Sequence, residues 1–216
     1  MNQNDFICMY INLDTRPDRN EQAISEFKKI SNIFPDIHRI SAKHFDIPTF
    51  TPQVNGILGC MASHIDCLQI ALKNKKHLMV FEDDVEFVGN YNEIIVEAIN
   101  ELPDKWQMLY LGANILKPFR QVSDHLAKLN HAQSTHAYSI NYNFIEKLLN
   151  YFPINLVVPI DVVYAEKIVP NHNCYIVAPE MVAIQRNSRS DIEGIDATYD
   201  LPSQRYRENI IKLEEK

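Results

Sequence analysis

Leu78-Met79-Val80-Phe81 runs straight into Glu82-Asp83-Asp84-Val85. From His77 to Phe81 the residues are apolar and few, which reads as a buried strand. Three adjacent carboxylates at its end repel one another, and a divalent cation relieves that repulsion while bridging to phosphate oxygens. If the backbone stays extended, Glu82 and Asp84 share a side and Asp83 points the other way. Glu82 and Asp84 are therefore the metal candidates, and Asp83 is assigned to a ribose or sugar hydroxyl. A solvated acidic turn is the bland alternative, and the direct attachment to an apolar strand weighs against it.

Outward from this strand, the chain alternates strand and helix signals. Phe6 to Ile11 reads as a first buried strand, followed by a helix that Thr15 caps, with Pro17 in its first turn and Ala23, Phe27 and Ile30 facing inward. Ile37 to Ile40 reads as a second strand and Lys43 to Asn55 as a surface loop. From Gly59 the pattern turns helical, with Cys60, His64, Cys67 and Ala71 on one face. Asn90 opens a further helix, Trp106 to Leu111 and Thr135 to Ile140 read as strands, and Asn143 starts the helix of Leu148 and Leu149. Helix after Pro159 and strand at Tyr175 to Ala178 complete the pattern, while residues 113 to 131 resist assignment. This alternation predicts one α/β domain over residues 1–200, a mostly parallel sheet with helices on both faces, binding ligand beyond its strand ends. Residues 201–216 form a charged tail, and the alternating charge after Pro202 reads as a solvated helix or a disordered segment.

Composition narrows the function. The 216 residues carry 21 Lys+Arg against 28 Asp+Glu, a net −7 that repels a nucleic-acid backbone and favours a small, metal-neutralised anion. Cys8, Cys60, Cys67 and Cys174 lack the two-residue spacing of a zinc knuckle or redox pair and read as reduced thiols. No basic residues precede the first apolar stretch and no apolar run reaches about 18 residues, so the expected setting is cytoplasmic without a membrane segment.

Two further constellations accompany the acidic strand end. In Tyr10-Ile11-Asn12-Leu13-Asp14-Thr15-Arg16-Pro17-Asp18-Arg19, two arginines stand near a helix amino terminus, where guanidinium groups can grip phosphate or a uracil edge. Taken alone, an ordinary helix start explains them better. In Gly59-Cys60-Met61-Ala62-Ser63-His64, a lone histidine on an apolar face is ordinarily a core residue. No G-x-S-x-G elbow supports a Ser/His hydrolase.

Together these stretches resemble the family 25 glycosyltransferases, which include bacterial lipopolysaccharide galactosyltransferases and procollagen galactosyltransferases. The matching segments are YINLDTRPDR (10–19), GCMASH (59–64), MVFEDDV (79–85), LYLG (109–112), THAYS (135–139) and VAIQRNSRSDIEG (182–194), in the family's order. The resemblance implies a nucleotide-sugar-binding α/β fold of the A type, a UDP-sugar donor and Mn²⁺ at the acidic strand end. It places Asn12, Leu13, Arg16 and Arg19 in the nucleotide pocket and raises Ser63 and His64 to site-wall residues. Pro159-Ile160-Asp161 is similar to the family's Pro-Val-Asp and makes Asp161 the candidate base, against the alternative of a helix cap. Gln185, Ser190 and Asp191 match the late motif, closing over the donor or completing the metal shell.

The expected activity is metal-dependent, inverting transfer of galactose or glucose from UDP to a hydroxyl of a glycan or protein acceptor, with a role in lipopolysaccharide biosynthesis. The rivals are a noncatalytic nucleotide-sugar or glycan-binding module on the same scaffold, and a metal-dependent phosphohydrolase or nucleotidyltransferase using the same acids.

Overall fold

The computed structural model describes residues 3–152, 157–186, 188, 189, 196, 197 and 200–213. Its elements, in order, are β1 (Phe6–Asn12), α1 (Pro17–Phe27), β2 (Ile37–Ser41), α2 (Pro52–Asn74), β3 (His77–Glu82), β4 (Val85–Phe87), α3 (Tyr91–Glu101), β5 (Met108–Tyr110), β6 (Phe119–Gln121) and β7 (Leu126–Lys128). There follow β8 (Ala137–Ile140), α4 (Tyr142–Leu149), α5 (Ile160–Val163), β9 (Cys174–Val177), β10 (Ala183–Gln185), β11 (Ser188–Arg189), β12 (Asp196–Ala197), α6 (Asp200–Asn209) and β13 (Ile210–Ile211). A π-helical turn, Tyr164–Ile168, continues α5.

The chain has the expected α/β architecture, built on a mixed sheet in the order β13-β6-β7-β9-β5-β8-β3-β1-β2. The end that matters for function is parallel: β1 lies between β2 and β3 and runs with both. Parallel neighbours require crossovers, and α1 and α2 lie in the two connections. Since β2 lies to one side of β1 and β3 to the other, the carboxyl ends of β1 and β3 flank a point where the winding reverses, a natural crevice for ligand. β8 then enters antiparallel to both β3 and β5. Leu78, Met79, Val80 and Phe81 are wholly buried, so both faces of β3 are covered, as an unbroken apolar strand demands.

Several local readings shift. Thr15 does not cap α1: the Arg16 amide bonds Leu13 O at 2.9 Å, the chain turns there, and Arg16 takes the cap position ahead of Pro17 without capping through its side chain. α2 begins at Pro52, seven residues before the reading at Gly59, because Thr51 Oγ1 accepts from the Val54 amide at 3.3 Å and Pro52 suits the first turn. Asn141, not Asn143, caps α4. Residues 113–131 hold the short antiparallel pair β6 and β7.

After Pro202 the chain is helical, one of the two expected readings, but the helix is docked on the domain instead of standing free in solvent. Tyr206 is buried, its hydroxyl donates to Val177 O at 2.6 Å, its ring packs edge-on against Phe119, and β13 joins β6. Arg205 Nη1 on Asn114 Oδ1 at 2.8 Å and Asn209 Nδ2 on Ile115 O at 3.3 Å help Tyr206 dock the helix. Among the described residues, no helix is long and apolar enough to cross a membrane.

Candidate active site

The register of β1 on β3 sets Ile11 opposite Glu82, so the next residue of each strand, Asn12 and Asp83, meet at the crevice. Asn12 Nδ2 donates to Asp83 Oδ2 at 2.7 Å, and Arg19 Nη1 reaches Asp83 Oδ1 at 3.1 Å from the first turns of α1. Both Asp83 oxygens thus have protein partners. The backbone turns at Asp83 and Asp84 instead of staying extended, so the carboxylate assigned to a sugar hydroxyl faces β1 and α1, where it fixes the turn. Burial raises the Asp83 pKa against the opposing pull of Asn12 and Arg19.

Asp84 is only 8% exposed. Its Oδ2 accepts from Gln185 Nε2 at 3.3 Å and lies 4.0 Å from Arg19, while its Oδ1 is buried without a hydrogen-bond partner. Burial, then the charges of Glu82 and Asp83, push its pKa up to about 7. A buried carboxylate oxygen with no donor is an electrostatic debt, and a cation is one way to discharge it. Its main-chain carbonyl accepts from the Arg186 amide at 2.7 Å, tying the turn to the residue after β10.

Glu82 faces another group of side chains. Its Oε1 accepts from Thr135 Oγ1 at 2.6 Å and lies 3.4 Å from His64 Nε2. Burial raises its pKa, but His64 and Thr135 outweigh that and hold it below the ordinary value. His64, 1% exposed, bonds through Nδ1 to Tyr138 Oη at 2.8 Å, and Tyr138 Oη meets Tyr164 Oη at 3.2 Å. Sequence reasoning missed Thr135, Tyr138 and Tyr164 as support for this edge. The THAYS segment held two of them, read as a strand and as a family match with no role given to either residue.

Two cavities meet here. One, of about 580 Å³, is lined by Asn12, Leu13, Arg16, Arg19, Ser63 and His64 together with all three acids. The other, of about 470 Å³, is lined by Asp161, Ser134, Thr135 and His136, and Cys60, Glu82 and Gln185 border both. The predicted donor residues of the first half of the chain thus converge on one cavity and the predicted base on its neighbour. Arg16 pairs with Asp18 at 2.9 Å on the rim. Asp161 Oδ1 accepts from Val162 N at 2.9 Å and Oδ2 from Ser134 N at 3.4 Å; Pro159 takes the cap position of α5, so Asp161 sits in the first turn instead of capping it, and burial raises its pKa. Gln185 Oε1 accepts from Ser134 Oγ at 3.1 Å, linking the two cavities. Ser190 and Asp191 lie outside the described residues.

Ser63 has a mechanical task. Its Oγ donates to Gly59 O at 2.7 Å and accepts from Lys43 N at 2.8 Å, fastening the loop after β2 to α2. Gly59 permits that approach, since a Cβ there would stand 2.4 Å from Lys43 O. Gly112 serves likewise, for its Cβ would lie 1.7 Å from Ala183 O.

Residues 6–135 match the model of glycosyltransferase family 25, described as an LPS biosynthesis protein. The chain belongs to glycosyltransferase family 25. It is 28% identical over 238 residues to a procollagen lysyl hydroxylase and glycosyltransferase of Acanthamoeba polyphaga mimivirus, covering 91% of this chain and 27% of the relative. A human relative, 26% identical over 49% of this chain and 19% of its own length, is named an inactive glycosyltransferase 25 family member 3. The chain therefore spans less than a third of either. A solved glycosyltransferase involved in glycosylation of the PBCV-1 major capsid overlays at a TM-score of 0.46 and 10% identity, covering 81% of this chain and 82% of that one. The family 25 match takes in the first-strand arginine motif, GCMASH and the acidic turn, and ends at Thr135 on the wall of the second cavity.

Proposed function

We propose that this family 25 chain transfers a hexose, galactose or glucose, from a UDP-sugar to a hydroxyl of a glycan or protein, with inversion. The observation that carries the reading is the pair of adjoining cavities divided by Glu82 and Gln185, one walled by the acidic turn and arginines, the other by Asp161. Asp84 and Glu82 would hold Mn²⁺, and the partnerless buried oxygen of Asp84 fits a hard, oxygen-preferring cation. Such an ion, when bound, supplies positive charge to a departing diphosphate.

The chain's own residues account for the remaining steps. Arg19, held by Asp83, presents positive charge at the amino terminus of α1 toward the donor cavity, and Arg16 stands at its rim. Asp161 takes the proton of the acceptor hydroxyl as its oxygen attacks the anomeric carbon from the face opposite the diphosphate. Its raised pKa, caused first by burial, suits a group that must accept a proton near neutrality. The setting we assign is cytoplasmic.

The test is incubation with UDP-galactose or UDP-glucose and Mn²⁺ over a panel of glycan and peptide acceptors, following UDP and the glycosylated product. Stoichiometric UDP and glycoside support the reading. Donor binding without turnover on any acceptor identifies a binding module, and release of phosphate or pyrophosphate identifies the hydrolase or nucleotidyltransferase alternative.

A further inference from the structure

Among the described residues, one group of three metal-ligating side chains brings its donor atoms together, and it is not the acidic turn. Cys60 and His64, one helical turn apart on α2, and Glu82, at the end of β3, place one ligand atom each within 4.8 Å of one another. We propose that Cys60, His64 and Glu82 form a binding site for a borderline-soft divalent cation of the zinc class, sharing Glu82 with the oxygen-ligand seat at Asp84 but taking its other two ligands from α2.

Four observations support it. First, His64 Nε2 is buried without a hydrogen-bond partner and faces the group. Second, its 3.4 Å distance to Glu82 Oε1 is long for a hydrogen bond. Two nitrogen or oxygen ligands, each about 2.0–2.1 Å from a tetrahedral zinc, stand roughly 3.3–3.4 Å apart, which is the spacing found. Third, His64 Nδ1 is engaged by Tyr138, itself bonded to Tyr164, so an Nδ1–H that donates into this hydroxyl chain leaves the Nε2 lone pair facing Cys60 and Glu82. Fourth, Cys60 alone among the four cysteines is not fully buried, and it borders both cavities. A thiol, an imidazole and a carboxylate make a donor set for zinc or cobalt, whereas Mn²⁺ and Mg²⁺ favour oxygen.

Three protein ligands leave a fourth position for water or for a ligand in either cavity. Binding replaces the Cys60 thiol proton with a metal–sulfur bond and delivers the proton to the buffer. The same event engages Glu82, so the zinc-class ion competes with a cation that draws on Glu82 and Asp84 together.

Cobalt(II) titration of the full chain, kept reduced with a phosphine, tests this directly. The expected result is a near-ultraviolet thiolate-to-cobalt absorption band that saturates at one equivalent, is abolished by Zn²⁺, is missing in Cys60→Ser and persists in Asp84→Ala. Tyr138→Phe should keep the band and weaken Zn²⁺ binding, read by competition with a chromophoric chelator, by about tenfold. If Cys60→Ser does not fold by circular dichroism, His64→Gln takes its place and should lose the band's saturation at one equivalent. A wild-type protein with no thiolate band, or a band that survives in Cys60→Ser, overturns the proposal. Because this signal needs neither UDP nor turnover, it can fail while the transferase reading stands, and the converse holds as well.

Discussion

Asn12 and Asp83, 71 residues apart, share a buried hydrogen bond of 2.7 Å. The contact exists because β1 and β3 are parallel neighbours in a register that ends them together. Arg19 joins from α1, so the crevice floor is one polar unit assembled from three elements. Inside the protein such a unit is rigid when satisfied and costly when broken.

Asn12→Ala should therefore destabilise the protein. It removes the donor to Asp83 Oδ2 and also the Asn12 Oδ1 acceptor for Arg39 Nε at 2.9 Å. Leaving a buried carboxylate oxygen unpaired costs about 1–3 kcal/mol. Chemical denaturation should show a lower midpoint with an unchanged slope, and an unchanged midpoint would refute the idea that this bond fixes the turn.

The pH dependence of stability carries the signature of Asp84. Its folded pKa, about 7, is raised above the ordinary carboxylate value, so the native state holds a proton that the unfolded chain has released. This group's contribution is fully present below about pH 4 and is lost as pH rises through about 7. Asp84→Asn, which cannot ionise, should melt higher than wild type at pH 8 and nearly alike at pH 4, both without metal. Added Mn²⁺ should raise the wild-type melting temperature most above pH 7 and leave Asp84→Asn much less affected. Parallel melting curves across that range would contradict the assignment.

The two variants that separate donor binding from chemistry are Asp84→Ala and Asp161→Asn. Of the two adjoining cavities, Asp84 lines the one proposed for the donor and Asp161 lines the other. Calorimetry with UDP and Mn²⁺ should show donor affinity reduced at least about tenfold in Asp84→Ala and preserved in Asp161→Asn, while turnover falls by about 100-fold or more in both. Equal loss of UDP affinity in the two would refute this division of labour.

The acidic strand end was legible in sequence because an apolar run buried on both faces has few ways to end in three carboxylates. Its partners were not. Asn12 and Arg19 were readable as a nucleotide motif, but their bonds to Asp83 follow from strand register, a long-range property that no local pattern encodes. Thr135, Tyr138 and Cys60 were hidden in elements whose apolar periodicity accounted for them already. The start of α2 was missed for a different reason: Thr51-Pro52 is the kind of start signal sought at Thr15-Pro17, but the prolines around it favoured a loop. At Tyr206 a charge pattern masked a single anchoring aromatic.

Gly59 tests whether the GCMASH segment acts through packing as well as through its histidine. In a helix interior, Gly to Ala ordinarily gains about 1 kcal/mol from propensity. Here the new methyl group would stand 2.4 Å from Lys43 O, a backbone atom that yields only if the loop shifts. That shift breaks the 2.8 Å bond from Lys43 N to Ser63 Oγ and displaces Phe45, Pro48 and Phe50, which wall the larger cavity. Overpacking costs typically about 1–3 kcal/mol, so the steric effect should win and Gly59→Ala should be destabilised. If the proposed donor binds in that cavity, its affinity should fall as well, because the displaced loop and the acidic turn line the same space. A Gly59→Ala protein that melts higher than wild type and binds UDP unchanged would mean that propensity prevails and that the loop does not depend on this close approach.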